Sequence, residues 1–148
     1  MSTLDPLIYT FTVACEPEHA FETWTNRIDR WWPKNHSLSG ERNPSIAIEG
    51  RVGGRIVERA SDGVEYEWGR ITTWEPPNKL AYTWYAGSTP DKPTDVELTF
   101  SEDGGKTTVR LVSSGWERFD DGGRLRDGND QGWGAAVAAY GDFLAVGG

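Results

Sequence analysis

Few side chains in this sequence are suited to acid, base or nucleophilic work. Among 148 residues there are two histidines, His19 and His36, and one cysteine, Cys15, set beside eight tryptophans. Imidazole is the side chain whose ordinary pKa lets it give or take a proton near neutrality. His36 follows Trp31-Trp32 in a segment read as a loop near a cavity mouth, which makes it a candidate acid, base or polar anchor. The competing reading is a loop histidine that hydrogen-bonds backbone, because no partner for it can be picked out of the sequence. His19 falls on the polar side of the first helix and reads as surface. Glu58 shares a side with Ile56 in a regular strand, and a carboxylate facing an apolar interior needs a partner, for which Arg55 and Arg70 are available. A solvent-facing salt bridge is the favoured alternative for it.

The familiar catalytic and cofactor signatures are missing. Two separated histidines and a single cysteine cannot assemble a nitrogen and sulfur metal site, so no metal is expected, and stoichiometric zinc surviving dialysis against a chelator would contradict this. There is no nucleophile elbow, no HExxH and no dinucleotide fingerprint. Gly105-Lys106-Thr107 imitates the end of a phosphate loop, yet Phe100 stands where the first glycine should be and a strand follows, so it reads as a hairpin turn. No cofactor is expected. Asn35-His36-Ser37 matches a glycosylation acceptor and reads as a chance triplet.

The tryptophans carry the stronger signal. Each indole covers about 150–250 Å² of apolar surface while keeping a hydrogen-bond donor, and eight of them suit an aromatic-lined interior better than a minimal core. Trp31, Trp32, Trp84 and Trp116 fall at loop or strand positions expected to border a cavity, with core packing an equal alternative. Trp24 and Trp133 lie on helix stripes, where core packing is favoured, and Trp74, beside Glu75-Pro76-Pro77, reads as a plug at a strand end. The cavity wall is assigned to Trp31, Trp32, Trp84, Leu98, Trp116, Trp133, Val137 and Tyr140, with His36 and Glu58 as polar anchors.

These residues must be held by a simple order of elements. Residues 7 to 14 read as a strand, and residues 17 to 25 as a helix opened by Pro17, with Ala20, Phe21 and Trp24 on its apolar stripe. A second helical turn carries Ile28, Trp31 and Trp32 before Pro33. From 45 to 114, strands are separated by Gly53-Gly54, Asp62-Gly63, Pro76-Pro77-Asn78 and Asp103-Gly104-Gly105, an antiparallel meander. Leu80, Tyr82 and Trp84 alternate onto one face, as do Val96, Leu98 and Phe100, and Val109, Leu111 and Ser113. A helix beginning at Asn129 or Asp130, with Trp133, Val137, Tyr140 and Leu144 on one stripe, is the expected cover, and residues 115 to 128 form a long connection.

The length fits a single domain spanning 1–148. The net charge of −8 opposes binding to nucleic acid or to an anionic membrane surface. No apolar run approaches the roughly 18 residues of a membrane span, which argues against insertion, and the lone cysteine suits a reducing, cytoplasmic setting.

The WW of Trp31-Trp32, the GGR of Gly53-Gly54-Arg55, the DG of Asp62-Gly63, the WGRI at Trp68, the EPP at Glu75 and the GW pairs at Gly115 and Gly132 occur in one order along nearly the whole chain. In that order they resemble the START-like (SRPBCC) superfamily, and within it the Hsp90 ATPase activator homologue family. The resemblance implies an α+β helix-grip fold, in which a curved antiparallel sheet wraps a long C-terminal helix over a deep cavity. It also implies binding of a small hydrophobic or amphipathic ligand. The alternatives it carries are a cyclase or hydratase acting on a polyketide-like substrate and a chaperone accessory protein; a chaperone partner is disfavoured, and a homodimer is left open. Fold alone does not choose among them.

Overall fold

The computed structural model describes residues 3–34, 36–85 and 91–148. Seven antiparallel strands form one curled sheet: β1 (Leu7–Val13), β2 (Ser45–Ile48), β3 (Arg55–Arg59), β4 (Glu65–Glu75), β5 (Lys79–Trp84), β6 (Thr94–Asp103) and β7 (Lys106–Ser114). Their order across the sheet is β1-β7-β6-β5-β4-β3-β2. After β1 come α1 (Pro17–Asn26) and the one-turn α2 (Ile28–Trp31), and the chain ends in α3 (Gly122–Ala145). This is the expected helix-grip arrangement. Lys106 and Thr107 open the second arm of a hairpin, as their setting in the sequence predicts.

Alternation explains which face of the sheet turns inward. Leu80, Tyr82, Trp84, Val96, Leu98, Phe100, Val109, Leu111 and Ser113 are all buried, one face of three neighbouring strands in register. Burial of that face at about 25 cal/mol per Å² of apolar surface drives the grip, and α3 closes it with Trp133, Ala136 and Tyr140. Val137 and Leu144 pack at the flank and are only half-buried, so the observed stripe is rotated slightly from the predicted one.

The start of α3 corrects the sequence reading by seven or eight residues. Asn129 and Asp130 look like caps, but their side chains do other work. The Asn129 amide donates to the Leu125 carbonyl one turn back at 2.9 Å, and the Asp130 carboxylate accepts the Tyr9 hydroxyl, which ties the helix to β1. The helix instead begins at Gly122, after the 3-10 turn Trp116–Arg118. A Cβ on Gly122 would lie 2.0 Å from the Trp116 carbonyl oxygen, so only glycine allows this close seating of the helix on the turn. Trp74 packs edge-on to Phe21 with ring centroids 5.2 Å apart, the plug expected of it. His19 is half-buried rather than fully surface, with Nε2 2.6 Å from the Gly148 carbonyl.

The β2–β4 side of the sheet carries a ladder of ion pairs. Arg55 lies 3.2 Å from Glu49 and 3.3 Å from Glu65, Arg59 lies 2.6 Å from Glu65, and Arg70 lies 3.0 Å from Glu67. The Glu67 carboxyl is held below its ordinary range, first by its hydrogen bonds from Arg70 and then by that from the Tyr85 hydroxyl. Glu65 is lowered by Arg59 and Arg55, and Glu49 by the Arg55 backbone N–H and guanidinium. A carboxyl depressed in the folded state contributes stability above its unfolded pKa, and that contribution is lost as pH falls through the folded value. Urea unfolding followed from neutrality down to about pH 3 is therefore expected to show a falling acid limb. Glu67→Gln should make that limb shallower, and an unchanged limb would remove Glu67 from the ladder.

Candidate functional site

The adjacent Trp31 and Trp32 part company where α2 ends. Trp31 turns into the core, with 4% of its surface exposed, and its indole N–H donates to the Thr23 carbonyl at 2.9 Å. Trp32 leaves the helix in extended backbone geometry, φ −58° and ψ 136°, and stays half-exposed. Its indole N–H donates to the His36 carbonyl at 3.1 Å, which folds the following loop back over the ring.

Around Trp32 the sheet and α3 assemble an aromatic wall. Its ring centroid is 5.1 Å from that of Trp68, 5.9 Å from Trp84 and 6.0 Å from Trp133, while Trp84 and Trp133 are 4.8 Å apart. These are the separations of tilted and edge-to-face aromatic pairs. A depression of about 240 Å³ opens on this wall, bounded by Trp32, Trp84 and Trp133 and by His36, Ser37 and Leu38 of the loop. Asn129 and Gly132 of α3 complete its rim. A side chain at Gly132 would meet nothing within 4 Å, so this glycine leaves the α3 edge of the depression open.

Four of the residues expected at a cavity thus meet at one place: Trp32, His36, Trp84 and Trp133. Trp31, Leu98, Trp116 and Tyr140 sit in the packed interior, and Val137 packs at its flank. Trp116 is fully buried and donates its indole N–H to the Ser113 carbonyl at 3.2 Å. Tyr140 donates its hydroxyl to the Ala20 carbonyl at 2.7 Å. Glu58 turns inward and is fully buried, and neither Arg55 nor Arg70 pairs with it; its carboxylate accepts backbone N–H groups of the loop and the Trp68 indole. Ser37, Leu38, Asn129 and Gly132 are lining residues that sequence reasoning does not reach. Trp68 was visible only as part of the WGR motif.

The chemistry available here is narrow. His36 brings the one imidazole among the described residues that line the depression, and its hydrogen bonds to the described residues run through its backbone N–H and carbonyl, not its ring. The Trp133 indole N–H is buried without an acceptor among the described residues, and a buried donor is stabilised by an oxygen partner. The larger groove, about 520 Å³, lies on the outer face of the sheet among Thr72, Asp95, Glu97 and Arg110. We favour the smaller depression, because concave aromatic surface with a few polar groups is what binds small molecules. Among the described residues no group of three or more His, Cys, Asp or Glu could hold a metal, and no helix is long and apolar enough to cross a membrane.

Residues 14–140 match the model of the activator of Hsp90 ATPase homolog 1-like family. No curated protein matches the chain significantly. Among solved structures, the anthrahydroquino-γ-pyrone synthase Txn09, determined with a bound ligand, is 32% identical with a TM-score of 0.66, over 93% of this chain and 96% of that one. The Aha1 dimer from Colwellia psychrerythraea is 18% identical, TM-score 0.70, over 96% of this chain and 97% of that one. DynU16, a putative protein of the dynemicin biosynthetic locus, is 16% identical, TM-score 0.71, over 97% of this chain but 48% of its own. The last two show the shared fold. With the family model spanning most of the sequence and the helix-grip sheet in place, the chain belongs to the activator of Hsp90 ATPase homolog 1-like family of the START-like (SRPBCC) superfamily.

Proposed function

We propose that this protein binds a planar, oxygenated polycyclic aromatic molecule of polyketide type against the Trp32, Trp84 and Trp133 wall, with His36 at the rim as acid, base or polar anchor. The observation that carries the reading is the convergence of three indoles and one imidazole on a single depression. Flat rings stack on indoles with a preference of about 0.5–1.5 kcal/mol per pair beyond area burial. An oxygen on the ligand would suit the Trp133 indole N–H, which has no acceptor among the described residues. The 32% identity to an anthrahydroquino-γ-pyrone synthase supports the same ligand class and, of the alternatives the resemblance carries, favours an enzyme of cyclase type acting on a polyketide-like substrate. In such a reaction His36 would move the proton of a ring hydroxyl, a role worth roughly 10²–10⁴ in rate. The dimeric Aha1 neighbour supports a second copy of this chain as a further partner.

Titration with 1,8-dihydroxyanthraquinone, followed by tryptophan fluorescence and by melting temperature, tests the reading. Binding to the folded state raises the melting temperature by mass action. Trp84→Ala is expected to weaken binding about tenfold or more, equivalent to about 1.4 kcal/mol, in protein that still folds. His36→Gln, at an exposed position, should leave the melting temperature unchanged and reduce affinity or turnover. A wild-type protein indifferent to this probe and to a panel of related fused-ring phenols would sink the proposal.

A further inference from the structure

We propose that Glu58 is the positioning residue of this pocket: its buried carboxylate holds the Leu38 and Ser39 backbone over the tryptophan wall and so sets the gap that a flat ligand enters. The inference rests on the reading of the pocket given above. Glu58 sits in β3 opposite Ile46 of β2 and Tyr66 of β4. Its Oε1 accepts the Leu38 backbone N–H at 2.7 Å and the Trp68 indole N–H at 3.1 Å, and its Oε2 accepts the Ser39 N–H at 3.0 Å. No cation pairs with it among the described residues, so three N–H donors are what meet this fully buried carboxyl group there.

Burying a carboxylate is costly until its partners offset the lost hydration, and a strand interior has cheaper occupants. What a carboxylate supplies is two acceptor oxygens on one rigid group, and here each meets a donor from a part of the chain that must be brought together. Among its described residues, the loop between Pro33 and β2 has no helix or strand of its own. The Trp32 indole N–H holds it at the His36 carbonyl, and further along Ser37 Oγ donates to the Glu41 carbonyl and Ser61 donates to the Glu41 carboxylate. Glu58 fastens it from within. His36 and Leu38, on the tethered segment, face the same depression as Trp84 and Trp133. Trp68, the third donor, packs on Trp32 and, at 5.6 Å, on Trp84. One group therefore fixes both the cover of the pocket and a ring behind its wall.

Glu58→Gln keeps the shape and replaces one acceptor by a donor, so at least one N–H of the loop or of Trp68 is left facing another N–H. Amide hydrogen exchange at Leu38 and Ser39 in unliganded protein, and titration with 1,8-dihydroxyanthraquinone, would be measured on wild type, E58Q and V109A. Val109 pairs with Phe100, six residues along β6 from the partner of Trp84, or roughly 20 Å, and V109A controls for general destabilisation. E58Q is expected to exchange at Leu38 and Ser39 at least tenfold faster while the sheet stays protected, and to bind the probe at least tenfold more weakly. V109A should lower the melting temperature and do neither. Should E58Q fail to fold, Ser39→Pro deletes one donor from the loop side, and the same loss of affinity is expected. Unchanged protection at both amides in E58Q overturns the proposal, as does wild-type affinity in a loosened E58Q or in S39P. If wild type ignores the probe, the ligand reading fails on its own, and the exchange result still decides whether Glu58 positions the loop.

Discussion

A chain ending at Gly128 is expected to lose cooperative folding altogether. The deletion removes Trp133, Ala136 and Tyr140, each 2% exposed or less, from the concave face of the sheet. Tyr140 alone packs against Phe11, Trp24 and Trp31 at centroid distances of 6.1, 5.0 and 5.2 Å, and its hydroxyl caps the Ala20 carbonyl of α1. Truncating one buried large aromatic costs about 3–5 kcal/mol. Two such losses together match the roughly 5–15 kcal/mol that keeps an ordinary domain folded, and the exposed inner face would add an aggregation surface. Circular dichroism and urea titration of the shortened chain should show no cooperative transition. A soluble product with a sharp transition would make α3 an accessory element and the grip unnecessary.

The legibility of this fold follows from where its signals are periodic. Strand alternation at Leu80, Tyr82 and Trp84 and at Val96, Leu98 and Phe100 fixes the inner face without further information, and the motif order points to the helix that fills it. The beginning of α3 was hidden because glycines at 122, 123, 128 and 132 dilute the helical pattern, and because Asn129 and Asp130 spend their polar groups inside the helix and on β1. The pocket is partly legible for a related reason. A tryptophan count announces aromatic surface, yet whether an indole packs inside or lines an opening depends on backbone turns as local as the one that separates Trp31 from Trp32. Glu58 illustrates the remaining difficulty. The strand pattern places it on the same side as Ile56, but two of its three donors are backbone amides 19 and 20 positions away, and backbone donors carry no mark in the sequence.

Gly69→Ala is expected to destabilise the domain by about 3 kcal/mol or more, at or beyond the upper end of the usual overpacking cost. At this position β4 bulges: Ile56 of β3 faces Gly69 while Val57 faces Glu67, leaving Trp68 as the extra residue. The bulge brings β4 so close to β5 that a Cβ on Gly69 would lie 1.9 Å from the Thr83 carbonyl oxygen. That atom is backbone and cannot rotate away, so relief requires the two strands to separate. Separation would strain the Tyr85 N–H bond to the Trp68 carbonyl, now 2.8 Å, and the Thr83 hydroxyl bond to the Arg70 N–H, now 3.1 Å. It would also shift Trp68, and with it the indole that Glu58 and Trp32 both contact. Gly128→Ala is the matched control. A Cβ there meets nothing within 4 Å inside α3, and replacing glycine in a helix interior should stabilise by up to about 1 kcal/mol. Urea midpoints of the two variants should therefore move in opposite directions. A G69A protein as stable as wild type would mean that the WGR segment is glycine by history, and that the close approach of β4 to β5 can relax without cost.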